Sequence, residues 1–125
     1  MLKGSCLCGA VRFTVTGPVR DPGACHCGQC RKWSGHVWAA GIVDEGDIAI
    51  EGPVRWFRSS EAAERGFCPE CGSSLFWHAI GSGRMDFALG AVDGPTGLRI
   101  ERHIFTEWKG DYYDICAQEH PQAGE

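Results

Sequence analysis

Cys68-Pro69-Glu70-Cys71-Gly72 has the form of a zinc knuckle. The Cys-x-x-Cys spacing lets a tight turn aim two sulfurs at one ion about 2.3 Å away. Proline presets the first turn dihedral, and glycine after the second cysteine permits a positive φ. Working outward, Cys6-Leu7-Cys8-Gly9 offers a second pair of thiols about 60 residues earlier. Read as extended chain, residues two apart share a side, so Cys6 and Cys8 chelate together while Leu7 points away. Between the pairs stands Cys25-His26-Cys27-Gly28-Gln29-Cys30, which joins both spacings and supplies three thiols from six residues. Seven of the eight cysteines fall in these clusters. Structural zinc takes four protein ligands, whereas catalytic zinc takes three and keeps a position open. Seven is therefore read as one closed and one open site. The bland alternative for Cys6 and Cys8 is a pair of small buried hydrophobes.

The remaining sequence points to short strands. Eighteen glycines and six prolines in 125 residues mean many turns and little room for long helices. Val11, Phe13 and Val15 alternate with Arg12, Thr14 and Thr16 as a half-buried strand. Gly28 to Gly35 reads as a turn or a single helical turn, and His36 to Val43 as a central strand. Ile48–Glu51 and Val54–Arg58 read as strands joined by a Gly52-Pro53 turn, and a loop over 59–64 leads into a strand ending at Cys68. Leu75–Ala79, Met85–Val92 and Arg102–Trp108 complete the set, with Met85, Phe87 and Leu89 on one face. The chain is expected to be one mainly β domain over 1–125, with a core at about 4–115 and a flexible tail over 116–125.

A net charge of −4 argues against nucleic acid as the main partner. No run of about 18 apolar residues is present, so no membrane span is expected. Met1 to Cys6 carries no apolar export signal, which points to the cytoplasm. Thiols there stay reduced and favour metal over disulfides, against a rival reading as a disulfide-bonded secreted domain.

The order of Gly4-Ser5-Cys6-Leu7-Cys8-Gly9-Ala10-Val11-Arg12-Phe13, Cys25 to Lys32 with Ser34-Gly35, Arg58-Ser59-Ser60, Phe67-Cys68-Pro69-Glu70-Cys71-Gly72-Ser73 with Leu75-Phe76, and His103-Ile104-Phe105 resembles the glutathione-dependent formaldehyde-activating enzymes and the centromere protein V-like zinc domains. The resemblance implies a β-tent fold, several small antiparallel sheets around a zinc-ribbon-like structural site. It implies two Zn2+ per chain. Cys6, Cys8, Cys68 and Cys71 would hold the structural ion, and Cys25, Cys27 and Cys30 a labile catalytic one. It further implies carbon–sulfur lyase chemistry joining a thiol such as glutathione to formaldehyde or a related aldehyde.

The site chemistry points the same way. Three thiolates leave zinc less Lewis acidic than three histidines would, yet able to hold an incoming thiol as a thiolate. His26, Arg31 and Lys32 lie nearest in sequence as donors to a developing alkoxide. Arg55, Arg58, Arg65 and Arg84 are candidates for the carboxylates of glutathione. The five tryptophans are assigned to core or pocket walls, Cys116 is read as a bystander thiol, and His36, His78, His103 and His120 carry no ligand-like spacing. The competing readings are a zinc-stabilised binding module and a redox or metal-buffering role. Oligomeric state has no signature in the sequence.

Overall fold

The computed structural model describes residues 1–115 and the two-residue strand at 122–123. Cys116, His120 and the expected tail lie outside the described residues, apart from that strand. The strands are β1 (Leu2–Ser5), β2 (Arg12–Val15), β3 (Arg20–Cys25), β4 (Trp38–Asp44), β5 (Ile48–Glu51), β6 (Arg55–Arg58), β7 (Ala63–Phe67), β8 (Ser74–Ala79), β9 (Arg84–Ala88), β10 (Arg102–Ile104) and β11 (Gln122–Ala123). The α-helix among the described residues is α1 (Gly28–Ser34). No described helix is long and apolar enough to cross a membrane. The fold is mainly β, as the turn-rich sequence implies.

The strands form two sheets, β1-β2-β5 and β11-β10-β3-β4-β9-β8-β7-β6. Pairing is antiparallel except that β10 runs parallel to both β3 and β11. β5 and β6 do not form a hairpin across Gly52-Pro53. Here the chain leaves the first sheet, where β5 pairs with β2, and enters the second, where β6 pairs with β7. The crossing needs glycine. Gly52 has φ 103°, and a Cβ there would lie 2.1 Å from the Ala10 carbonyl oxygen.

Strand alternation divides the larger sheet into two faces with different purposes. Val43, Met85 and Phe87 look toward the small sheet and join Val11, Phe13, Val15, Leu75 and Phe76 in the main core. Phe13 meets Phe76 edge-on at 5.3 Å between ring centroids and Phe87 at 5.8 Å. Leu89 packs at the edge of this cluster, so the face read from Met85, Phe87 and Leu89 is the core face. On the opposite face, Trp38, Ala40 and Ala88 pack with Cys30 in a second cluster.

Two expected strands are shorter in the fold. After Ala88 the chain turns into a 3-10 segment over Leu89–Ala91, and after Ile104 into another over Thr106–Trp108. The second change passes through Phe105, whose backbone is left-handed at φ 55°, a conformation that ends a strand. Gly28 to Gly35 gains what the sequence reading gave it only in part. α1 runs seven residues, begun by Cys27 and closed by left-handed Gly35, whose N–H donates to the Arg31 carbonyl.

Candidate metal centres and the cavity beside them

The sulfurs of Cys6, Cys8, Cys68 and Cys71 all lie within 4.8 Å of one another and could hold a metal ion. Two tight turns present them. In the first, the Gly9 N–H donates to the Cys6 carbonyl at 3.1 Å and Gly9 takes φ 84°. In the second, the Gly72 N–H donates to the Cys68 carbonyl at 2.8 Å and Gly72 takes φ 80°. The first pair thus sits on a turn rather than on extended chain, although Leu7 does point outward, 89% exposed. The Val11 N–H donates to Cys6 Sγ at 3.2 Å. The Ser73 hydroxyl lies 3.1 Å from Cys71 Sγ and, with the Ser73 backbone N–H, holds that thiol down at about 5.

The donor set fits a tetrahedral thiophilic ion. Cys6 Sγ lies 3.7 Å from Cys8 Sγ, and Cys8 Sγ lies 3.8 Å from Cys68 Sγ. Four sulfurs about 2.3 Å from one centre stand about 3.8 Å apart, whereas a disulfide would bring two of them to about 2.05 Å. All seven described cysteines are free thiols.

Cys25, Cys27 and Cys30 form the second group, again with sulfurs within 4.8 Å of one another. Each comes from a different local setting: the end of β3, the N-cap of α1 and its first turn. Cys27 does for this helix what serine or aspartate does elsewhere, its Sγ accepting from the Cys30 N–H at 3.3 Å. The Cys25 thiol hydrogen-bonds Cys30 and, against the effect of burial and with help from Arg65, holds the Cys30 thiol at about 6. Cys25 itself is pushed up by that same hydrogen bond and by burial.

His26 is turned away from these sulfurs, as alternation predicts. It is 2% exposed, with Nδ1 2.6 Å from Tyr113 Oη and Nε2 2.9 Å from His103 Nδ1. The backbone N–H of His26 also donates to the Ile104 carbonyl at 3.1 Å. This network ties the cysteine loop to β10 and to the segment after it.

The two cysteine groups differ in what lies beside them. A cavity of about 680 Å³ is lined by Cys25, Cys27 and Cys30 but by none of the other four. Its floor is the second face of the large sheet: Gly23 on β3, Ala40 and Ile42 on β4, Asp86 on β9, Trp77 on β8 and Arg65 on β7. Phe105 and Trp108, carried over by the left-handed turn, supply further aromatic wall. Of the five tryptophans, Trp38, Trp77 and Trp108 line this cavity, while Trp56 packs on Phe76.

Apart from Asp21 on β3, the charged groups of the cavity come from distant strands and not from the cysteine loop. His26, Arg31 and Lys32 are not among its lining residues. Arg84 and Asp86 face each other at 3.2 Å, and burial pushes the Asp86 carboxyl up to about 6 against the pull of Arg84 and Arg102. Arg65 donates from Nη1 to Cys30 Sγ at 3.5 Å and from Nη2 to Gln29 Oε1 at 3.2 Å. Arg55 and Arg58 lie on the exposed edge strand β6, away from the cavity. Asp86 and Arg102 went unread in the sequence, yet a signal existed. Once Met85 and Phe87 are put on the core face, Arg84 and Asp86 fall on the other.

His78 and His36 belong to separate contacts. His78 bridges Glu64, 2.8 Å from its Nδ1, and Glu45 at its Nε2. Burial disfavours its charged form, but the two carboxylates lift its pKa above the ordinary value. His36 Nδ1 lies 2.9 Å from Tyr112 Oη.

Residues 1–108 match the model of a protein family described as glutathione-dependent formaldehyde-activating enzyme. A Schizosaccharomyces pombe protein named an uncharacterized lyase is 28% identical over 117 residues, covering 91% of this chain and 85% of its own length. A Halomonas elongata protein, provisionally named a glutathione-dependent formaldehyde-activating enzyme, is 31% identical over 135 residues, covering 95% and 83%. A crystal structure of a Rhodobacter sphaeroides protein shares the fold with a TM-score of 0.62 at 22% identity, covering 76% of this chain and 91% of that one.

Proposed function

The chain belongs to the glutathione-dependent formaldehyde-activating enzyme family, and from that premise we propose that it is a zinc-dependent carbon–sulfur lyase-type enzyme acting on a glutathione–aldehyde adduct. Cys6, Cys8, Cys68 and Cys71 would hold a structural zinc, and Cys25, Cys27 and Cys30 a catalytic one, within a single zinc-binding domain. One observation carries the division. The three-cysteine group, which has no fourth protein ligand among the described residues, presents all three of its cysteines to the 680 Å³ cavity, whereas of the four-cysteine group only Cys6 lines a second hollow of about 820 Å³. A site with three ligands and an adjoining space is built to take a substrate atom.

When bound at Cys25, Cys27 and Cys30, zinc would supply a position that favours the thiolate form of an incoming thiol. The chain's own residues do the rest. The three thiolates keep the centre electron-rich, which suits breaking or making a carbon–sulfur bond better than activating water. Trp38, Trp77, Trp108 and Phe105 wall the cavity and exclude water from the reacting thiol. Arg84 and Arg102 place positive charge on β9 and β10 for the carboxylates of a glutathione-like thiol. Asp86, with its carboxyl near pH 6, is placed to exchange a proton with the cavity.

The test is the exchange rate between free aldehyde and its glutathione adduct, followed by NMR in wild type and Cys27→Ser. The expected result is a rate well above the uncatalysed reaction in wild type and the uncatalysed rate in the variant. Equal rates in the two proteins would leave a zinc-stabilised binding module as the better reading.

A further inference from the structure

Arg65 is a buried cation whose anionic partner is sulfur. Its side chain comes from the middle of β7, opposite Trp77 on β8, and the residue is 4% exposed. A guanidinium taken out of water is costly unless an anion faces it. None of the ion pairs among the described residues gives Arg65 a carboxylate. Its fork instead spans Cys30 Sγ at 3.5 Å and Gln29 Oε1 at 3.2 Å, and its plane lies over the Trp33 ring at 5.1 Å. Three contacts from one short helix therefore fix a positive charge against one of the three clustered thiols.

The charge count explains why such a cation belongs there. Three thiolates around a divalent ion carry a formal charge of about −1, and a fourth thiolate would bring it to about −2. Repulsion then opposes the very ligand the cavity is shaped to receive. One fixed positive charge in contact with a coordinating sulfur offsets that increment, and in a partly buried site it does so with little screening. A neutral fourth ligand gains nothing comparable.

Resting on the reading of the site given above, we propose that Arg65 is a positioning residue that holds Cys30 in place and balances the charge of the three-cysteine centre, so that the centre selects an anionic thiolate as its fourth ligand. Its role is thereby separate from that of Arg84 and Arg102. Arg65 is committed to a cysteine and is not free to bind a substrate carboxylate.

The experiment uses the full chain loaded with cobalt(II), whose sulfur-to-metal absorption reports both occupancy and ligation, titrated with glutathione and separately with imidazole. Arg65→Gln should weaken glutathione binding about ten- to a hundredfold, the size of a hydrogen bond to a charged partner. Imidazole binding should stay within about twofold, and Arg65→Lys should recover most of the glutathione affinity. Arg55→Gln, on the exposed edge strand, should leave both titrations at wild-type values. If Arg65→Gln fails to hold the second cobalt while Arg65→Lys keeps it, the charge-balancing role is supported. Loss of the ion from both variants, or equal weakening toward glutathione and imidazole, overturns it, since shape would then matter and charge would not. Equal glutathione affinity in wild type and Arg65→Gln overturns the role of Arg65 alone. Failure of the fully loaded wild type to bind glutathione overturns the functional reading along with it.

Discussion

The sulfurs of Cys8 and Cys68 lie 3.8 Å apart although 60 residues of chain separate them. An ion shared by their two turns would close that loop, and closure of such a length is worth about 4 kcal/mol through the unfolded chain alone. Cys27→Ser opens no comparable loop, because its partners come from the same short stretch, and serine can still cap α1. Cys68→Ser should therefore lose the cooperative thermal transition or lower its midpoint by tens of degrees. Cys27→Ser should keep the transition within a few degrees and lose one of two zincs by elemental analysis. Equal loss of stability in both variants would contradict the division of labour.

Phe13 seals the gap between the two sheets. It is 1% exposed, and its ring tip presses on Gly4, where a Cβ would lie 2.1 Å from Phe13 Cζ. Phe13→Ala should cost about 3–5 kcal/mol through the cavity it leaves. Gly4→Ala, a one-carbon addition on an outer strand, should cost about 1–3 kcal/mol through overpacking. Both are read from urea unfolding at constant m value.

Asp86 should make the protein less stable as pH rises. Its carboxyl sits at about 6 in the fold against 3.8 for the free group, so the native state holds the proton longer than the unfolded chain does. The benefit is complete below the unfolded value and is lost as pH climbs through about 6. Asp86→Asn removes this dependence. The stability of the variant relative to wild type should rise between about pH 4 and pH 6 and level off above, by up to about 3 kcal/mol across the whole window. A gap independent of pH would show that Asp86 is not held protonated by burial.

His78 titrates in the opposite chemical sense with the same direction of linkage. Glu64 and Glu45 raise its folded pKa over the opposing effect of burial. Its contribution to stability is present below the unfolded histidine value and fades as pH rises through the folded one. The imidazole titration by NMR should have a midpoint above that of an unstructured histidine, and Glu64→Gln and Glu45→Gln should each lower it.

Much of the fold was legible because its signals are local. The knuckle at Cys68 to Gly72, the alternation of Val11, Phe13 and Val15, and the core face of Met85 and Phe87 each depend on residues a few positions apart. What was left open or misread depends on partners far away. Gly52-Pro53 joins two strands, as expected, but their pairing is not a local matter: β5 pairs with β2 and β6 with β7, a choice made by core packing that no local window contains. Arg102 to Trp108 has strand composition throughout, yet it leaves the sheet after Ile104 at a left-handed Phe105.

The candidate site divides in the same way. Sequence by itself determined which thiols cluster as candidate ligands, because Cys-x-Cys and Cys-x-x-Cys spacings constrain sulfur geometry through only one or two peptide units. It also determined that His26 must point away from its neighbours' sulfurs. Only the tertiary structure decided which cysteine pairs share a centre, which centre faces the cavity, and which charges surround it. Nearness in sequence favoured Arg31 and Lys32, but Arg65 from β7, Arg84 and Asp86 from β9 and Arg102 from β10 line the space, three strands converging on one face of one sheet. Strand order and register set that convergence, and both are settled by the burial of Phe13, Phe76 and Phe87 on the opposite face.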